Sequence, residues 1–105
     1  MKIAYQGVAG SYSESCAKKM YPESETIPCK TFDECFERSN EDNSIKSLIP
    51  ESNKTTGNIG VEYLIFKYRL NIYAEHFFPI NHNLLGLKDS KIEDIKDVYS
   101  HAQAL

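Results

Sequence analysis

Residues 2–14 constrain the fold more than any other stretch. A short apolar run, Lys2-Ile3-Ala4-Tyr5-Gln6, breaks into Gly7-Val8-Ala9-Gly10 and then into Ser11-Tyr12-Ser13-Glu14, with a helical pattern behind it. That order predicts a strand, a glycine loop and a helix N-terminus. Two glycines three apart let the backbone turn without a Cβ clash, while Ser11 or Ser13 can cap the helix and leave N–H groups facing an anion above the loop. Taken alone, the pattern fits a plain turn as well as a carboxylate or phosphate cradle. It argues against two nucleotide readings. Residues 7–10 lack the Gly-x-Gly-x-x-Gly spacing of a dinucleotide site, and no Gly-Lys-Ser/Thr follows for a phosphate loop.

Further along, Tyr12, Cys16, Ala17 and Met20 fall on one face of a helix that Tyr21-Pro22 ends. Residues 25–29 predict a short strand at an edge, because Pro28 has no N–H for a ladder. Thr31 is placed to cap a second helix carrying Phe32, Cys35 and Phe36, with Glu34 in the capping-box position and fraying near Ser39-Asn40. Residues 45–50 predict a third strand and residues 51–57 a polar loop. Thr56 or Asn58 is then the expected cap of a substantially buried helix through Ile59, Val61, Leu64, Ile65 and Tyr68. Beyond it, alternation predicts a long strand over 70–80 and an extended stretch over 82–87. A short charged helix around 92–95 and a strand over 97–100 complete the pattern, and Ala102-Gln103-Ala104-Leu105 reads as an element cut short. Alternating helices and strands favour an α/β domain with a largely parallel sheet, whose ligand sites gather at the carboxyl ends of the strands. Loops 7–13 and 51–57 both belong at that end.

A chain of 105 residues is one small domain or part of a larger one. Its net charge of -3, with twelve basic residues scattered among fifteen acidic ones, gives no basic face for nucleic acid. Apolar runs fall far short of the about eighteen residues of a spanning helix, and the N-terminus lacks a secretory h-region. A cytoplasmic chain with no membrane partner is expected. The three cysteines, Cys16, Cys29 and Cys35, make no Cys-x-x-Cys pair and are not spaced with the three histidines as ligands, so free thiols and no metal are expected.

Residues 4–14 resemble the opening of the prephenate dehydratase and arogenate dehydratase family. Three later blocks agree in order: Ile27-Pro28-Cys29 with Phe32, then Pro79-Ile80-Asn81-His82-Asn83-Leu84-Leu85, then Val98-Tyr99-Ser100-His101-Ala102-Gln103-Ala104-Leu105. The resemblance implies a bilobed α/β fold like the type II periplasmic binding proteins, with the substrate in the cleft between lobes. Residues 1–80 would form the first lobe, and 81–105 the hinge and the start of the second. It also implies an activity: loss of carbon dioxide and the ring hydroxyl from prephenate to give phenylpyruvate, in phenylalanine biosynthesis. Arogenate, which carries an amino group on its side chain, is the alternative substrate. Aromatisation drives the reaction, so no cofactor is implied. The family's Thr-Arg-Phe motif, whose threonine is assigned the acid role, is absent from these residues, which implies that they are inactive alone.

Carried over residue by residue, Ser11 and Ser13 with the Gly10 backbone would line one wall of the substrate site, and Ser100 with Gln103 would face the cleft. Asn53 would stand on the loop that reads Pro-Ile-Glu-Asn-Ser-x-x-Gly in the family. Asn53 and Ser100 are the catalytic candidates; Gly10, Ser11, Ser13 and Gln103 are the substrate-binding ones. Each has a plainer reading, since Ser11 fits an N-cap, Asn53 a turn, and Ser100 and Gln103 a helix start. Two departures bear on these roles. Glu51-Ser52-Asn53-Lys54 stands where the family has Ile-Glu-Asn-Ser, and Ala102 replaces a proline and loosens the turn after His101. His82 and His101 read as hinge and packing residues. The other function classes are a non-catalytic module binding organic anions or amino acids, and a fragment that pairs with a copy of itself or a separate second half.

Overall fold

The computed structural model describes residues 1–53 and 57–105, the side chains of Asn53 and Gln103 excepted. β1 (Lys2–Gln6), α1 (Tyr12–Met20), β2 (Glu25–Cys29), α2 (Phe32–Glu41) and β3 (Ile45–Leu48) form two successive βαβ units. The strands make a parallel sheet in the order β2-β1-β3. β1 pairs with β2 from Lys2↔Glu25 to Gln6↔Cys29, and with β3 from Lys2↔Ile45 to Tyr5↔Leu48. The fold is therefore α/β with a parallel sheet, as the alternation of helical and extended patterns predicts.

The central position of β1 explains its composition. Ile3, Ala4 and Tyr5 are all buried, a continuous run suited to a strand covered on both faces. Alternation sends Ala4 toward α2, where it packs with Cys29 and Cys35. It sends Tyr5 to the opposite face, where burial first, then the charge of Glu14 on α1, raises the phenol's pKa. β2 lies at the edge of the sheet, the place where the missing N–H of Pro28 is tolerated. Two serines pin α2 to β3: Ser47 Oγ donates to the Cys35 carbonyl at 2.7 Å, which leaves Ser39 Oγ to donate to Ser47 Oγ at 2.6 Å. All three cysteines are buried free thiols.

After β3, Ser52–Asn53 (β4) pairs antiparallel with Gly57–Asn58 (β5), and α3 (Glu62–Tyr68) packs on α2. Phe36, Val61 and Leu64 form the centre of that contact, with the Phe36 and Tyr68 rings stacked at 5.8 Å. Lys67 Nζ and the Tyr68 hydroxyl close it at the surface by donating to Asp33 Oδ1 at 2.7 and 3.0 Å. The start of α3 differs from expectation. Its N-cap is Val61, with no side-chain cap bond. Asn58 instead forms a turn, accepting from Gly60 N–H at 2.5 Å while its amide donates to Glu62. Thr56, the other expected cap, lies outside the described residues. Burial of α3 is also narrower than its apolar content suggests, since Leu64 is buried while Phe66 is 82% exposed.

Two further strand expectations, over 70–80 and 97–100, are not met, and the extended stretch expected over 82–87 joins no sheet among the described residues. Among the described residues no strand follows β5; those stretches are irregular, and only short 3₁₀ turns at Ile92–Asp94 and Ala102–Ala104 interrupt the region. The helix expected around 92–95 is one such turn. Alternation decides which face a side chain takes, but a strand also needs a neighbour for its N–H and C=O groups. Among the described residues none lies alongside here, and Ile72, Phe77, Leu85 and Tyr99 stand exposed. The irregular region lengthens the molecule to 51 × 29 × 22 Å, with a radius of gyration of 16.2 Å against about 13 Å for a compact chain of this length.

Candidate functional site

The sheet uses one device twice, at the carboxyl ends of β1 and β2. After β1, Gly7 donates to the Cys29 carbonyl at 3.0 Å and takes a φ of 134°, and Gly10 takes a φ of 87°. Ser11 then caps α1, its Oγ accepting from Glu14 N–H at 3.3 Å. The Glu14 carboxylate turns back and accepts from Gly10 N–H at 2.7 Å, Lys18 Nζ at 2.8 Å and Thr26 Oγ1 at 3.2 Å. After β2, Thr31 Oγ1 accepts from Glu34 N–H at 3.1 Å, and Glu34 accepts from Lys30 N–H at 2.8 Å and Arg38 Nη2 at 2.9 Å. Each helix start therefore carries a carboxylate of its own, placed where the helix dipole favours negative charge.

This arrangement narrows what the loop over 7–13 offers a ligand. Gly10 N–H is held by Glu14. The N–H groups of Tyr12 and Ser13, the first two of α1, have no acceptor among the described residues. The Ser13 hydroxyl stands beside them, and Ser11 Oγ, already an acceptor, keeps its proton to donate. Two main-chain donors flanked by two hydroxyls suit a carboxylate.

Both capping carboxylates titrate below the ordinary glutamate value. The Gly10 N–H bond, then Lys18, lowers Glu14; the Lys30 N–H bond, then Arg38, lowers Glu34. A folded pKa below the unfolded one gives stability that is full above the unfolded value and is lost as pH falls through the folded value. Urea midpoints should therefore hold steady from pH 7 to about 5 and decline below that. Glu14→Gln, measured in the same series, should flatten the decline.

β3 neighbours β1 at about 4.8 Å, so the chain leaving β3 toward β4 emerges at the same end of the sheet as the loop over 7–13. The backbone of Asn53 lies further along that chain, in β4 and opposite Gly57. The side chains of Asn53 and Gln103, and residues Lys54 and Thr56, lie outside the described residues. The structure brings Gly10, Ser11 and Ser13 together on one turn. Ser100 is exposed, and among the described residues no hydrogen bond, ion pair or ring contact joins it to that turn. A groove of about 360 Å³, lined by Met1, Met20, Tyr21, Pro22, Glu23 and Ser24, opens at the opposite end of the strands and has no part in this cluster.

Two residues of the site, Glu14 and Tyr12, are not among the site candidates taken from the sequence. Glu14 was legible, since Ser11-x-x-Glu14 has the same capping spacing as Thr31-x-x-Glu34. Tyr12 was not: its hydroxyl donates to the Asn81 carbonyl at 2.5 Å, across a separation of 69 residues.

Comparison with known proteins gives the family. No solved structure matches the chain. The family model for prephenate dehydratase matches residues 3–105. Arogenate dehydratase 2 of Petunia hybrida is 43% identical over 106 positions, covering 100% of this chain and 27% of that relative. Two Arabidopsis thaliana proteins are similar at 42% and 40% identity: arogenate dehydratase/prephenate dehydratase 1, chloroplastic, and arogenate dehydratase/prephenate dehydratase 2, chloroplastic. Each is also matched across 100% of this chain, which covers 27% and 28% of their lengths. The chain thus spans about a quarter of the relatives it matches. The chloroplast location in the names of the two Arabidopsis thaliana relatives overturns the expectation of a cytoplasmic chain. Cellular address is written in separable targeting segments, so the composition of a folded domain does not carry it. With a family model matched along nearly its whole length and relatives above 40% identity, the chain belongs to the prephenate dehydratase family.

Proposed function

We propose that this chain supplies the first wall of the substrate site of a lyase acting on prephenate or arogenate. The observation that carries the reading is the pair of open N–H groups at Tyr12 and Ser13, inside the region that matches the family. Prephenate loses its ring carboxylate as carbon dioxide while the ring hydroxyl leaves as hydroxide, and the electron pair of the broken C–C bond completes the aromatic ring. The protein has to grip the side-chain carboxylate, leave the departing carboxylate ionised and hydrogen-bond the leaving oxygen.

In this reading the Ser11 and Ser13 hydroxyls, with the N–H groups of Tyr12 and Ser13, hold the retained carboxylate, and Gly10 shapes the turn. Asn53, from the same lobe, and Ser100 act on the reacting ring, and Gln103 helps to bind the substrate. The family match supports a bilobed, type II periplasmic-binding-protein-like fold with residues 1–80 in the first lobe and 81–105 in the hinge and the start of the second. The names of the two Arabidopsis thaliana relatives support a plastid address, and the relatives' names together leave prephenate and arogenate as alternatives.

The test uses the protein encoded by the reading frame that contains these residues, given prephenate and arogenate separately. Phenylpyruvate or phenylalanine is the expected product. Ser13→Ala should raise KM about 10-fold or more, the loss of a hydrogen bond to a charged group. A folded protein that converts neither substrate overturns the reading; one that binds prephenate without converting it favours a non-catalytic binding module.

A further inference from the structure

We propose that Tyr12 is a positioning residue whose side chain holds residues 79–85 against the turn that carries the open N–H groups. The inference rests on the reading of that turn as a substrate wall, and deepens it.

Tyr12 is the first residue of α1, so its main chain belongs to the turn. Its side chain belongs to a different part of the molecule. The hydroxyl donates to the Asn81 carbonyl at 2.5 Å, and the Asn83 side-chain amide donates to the same oxygen at 3.0 Å. The ring meets Phe78 edge to face, with centroids 6.3 Å apart and planes at 63°. Lys19, two turns along α1, places its ammonium 5.7 Å from the centre of the Phe78 ring on the same side. Along residues 71–94, Phe78 alone is partly buried. Among the described residues, the irregular segment therefore meets α1 at Phe78 and at Asn81, and Tyr12 touches both.

That geometry makes a single side chain the link between the turn after β1 and residues 79–85. A ligand carboxylate on Tyr12 N–H and Ser13 N–H would sit on the residue that fixes where residue 81 lies. Position at residues 79–85 and occupancy of the turn then depend on each other. The phenol hydroxyl is the informative group, because removing it leaves the ring contact with Phe78 in place.

The test compares the protein encoded by the reading frame that contains these residues with its Tyr12→Phe and Phe78→Ala variants, using backbone order parameters from nuclear magnetic relaxation, thermal midpoints and titration with prephenate. In Tyr12→Phe, order parameters at residues 79–83 should fall from about 0.85 toward 0.6 or below, while residues 13–20 and the thermal midpoint stay unchanged. The prephenate dissociation constant should rise about 3–10-fold, the worth of one neutral hydrogen bond. Phe78→Ala should free the same residues. Unchanged order at 79–83 in both variants overturns the proposal, as does freed order with an unaltered dissociation constant. If the parent protein binds no prephenate, the substrate reading fails, and the order parameters alone decide whether Tyr12 holds the segment.

Discussion

Leu64→Ala should cost about 2–5 kcal/mol of folding stability, as truncating a fully buried leucine leaves a cavity its neighbours only partly fill. Leu64 is 1% exposed and packs with Phe36 and Val61, and the half-buried Phe32, Ile49, Ile59, Tyr68 and Leu70 surround that cluster. The site brings together α2, α3 and the exit of β3, so three elements lose a shared contact at once. A domain of this size has only about 5–15 kcal/mol in total, and the irregular region after α3 adds little burial to it. The expected fall in thermal midpoint is about 10–20 °C. Phe66→Ala on the same helix is the control, since that ring is 82% exposed and its removal should change stability by about 0.5 kcal/mol or less. Urea unfolding of both variants settles the matter; equal midpoints would mean that α3 is not held by its Leu64 face.

The same contrast explains how much of the fold could be read in advance. The bounds of β1, α1 and β2 are local events: an apolar run, a serine or threonine cap, a proline at an edge. Each is decided within a few residues, and each stands where the sequence put it. The failures lie where a long-range partner decides. Residues 70–80 alternate as a strand should, yet a ladder needs a second strand that alternation cannot supply. The site divides the same way. Ser11 as a cap and Gly7 and Gly10 as turn residues follow from spacing, and Glu14 follows from the rule applied to Glu34. The link from Tyr12 to Asn81 joins residues 69 apart and has no local signature. The placement of Ser100 rests on the family resemblance, and no described contact carries it to the turn.

Gly7→Ala should cost more than Gly10→Ala, although both glycines have positive φ. At Gly7 the φ of 134° is one that L residues rarely adopt, and an added Cβ would lie 3.3 Å from Ser11 Oγ and 3.5 Å from Ser11 Cβ. Backbone strain of about 1–3 kcal/mol is joined there by displacement of the hydroxyl that caps Glu14 N–H, a contact worth about 1 kcal/mol. At Gly10, with φ of 87°, an added Cβ meets nothing within 4 Å, so strain of about 1–2 kcal/mol is the whole cost. Equilibrium unfolding should therefore separate the two variants by about 1 kcal/mol or more. The ligand readout should follow the same order. Moving Ser11 re-aims the first turn of α1 and with it the N–H groups of Tyr12 and Ser13, so prephenate affinity should fall further in Gly7→Ala than in Gly10→Ala. The opposite ranking would mean that the Gly10 main chain, despite its bond to Glu14, is what the ligand touches.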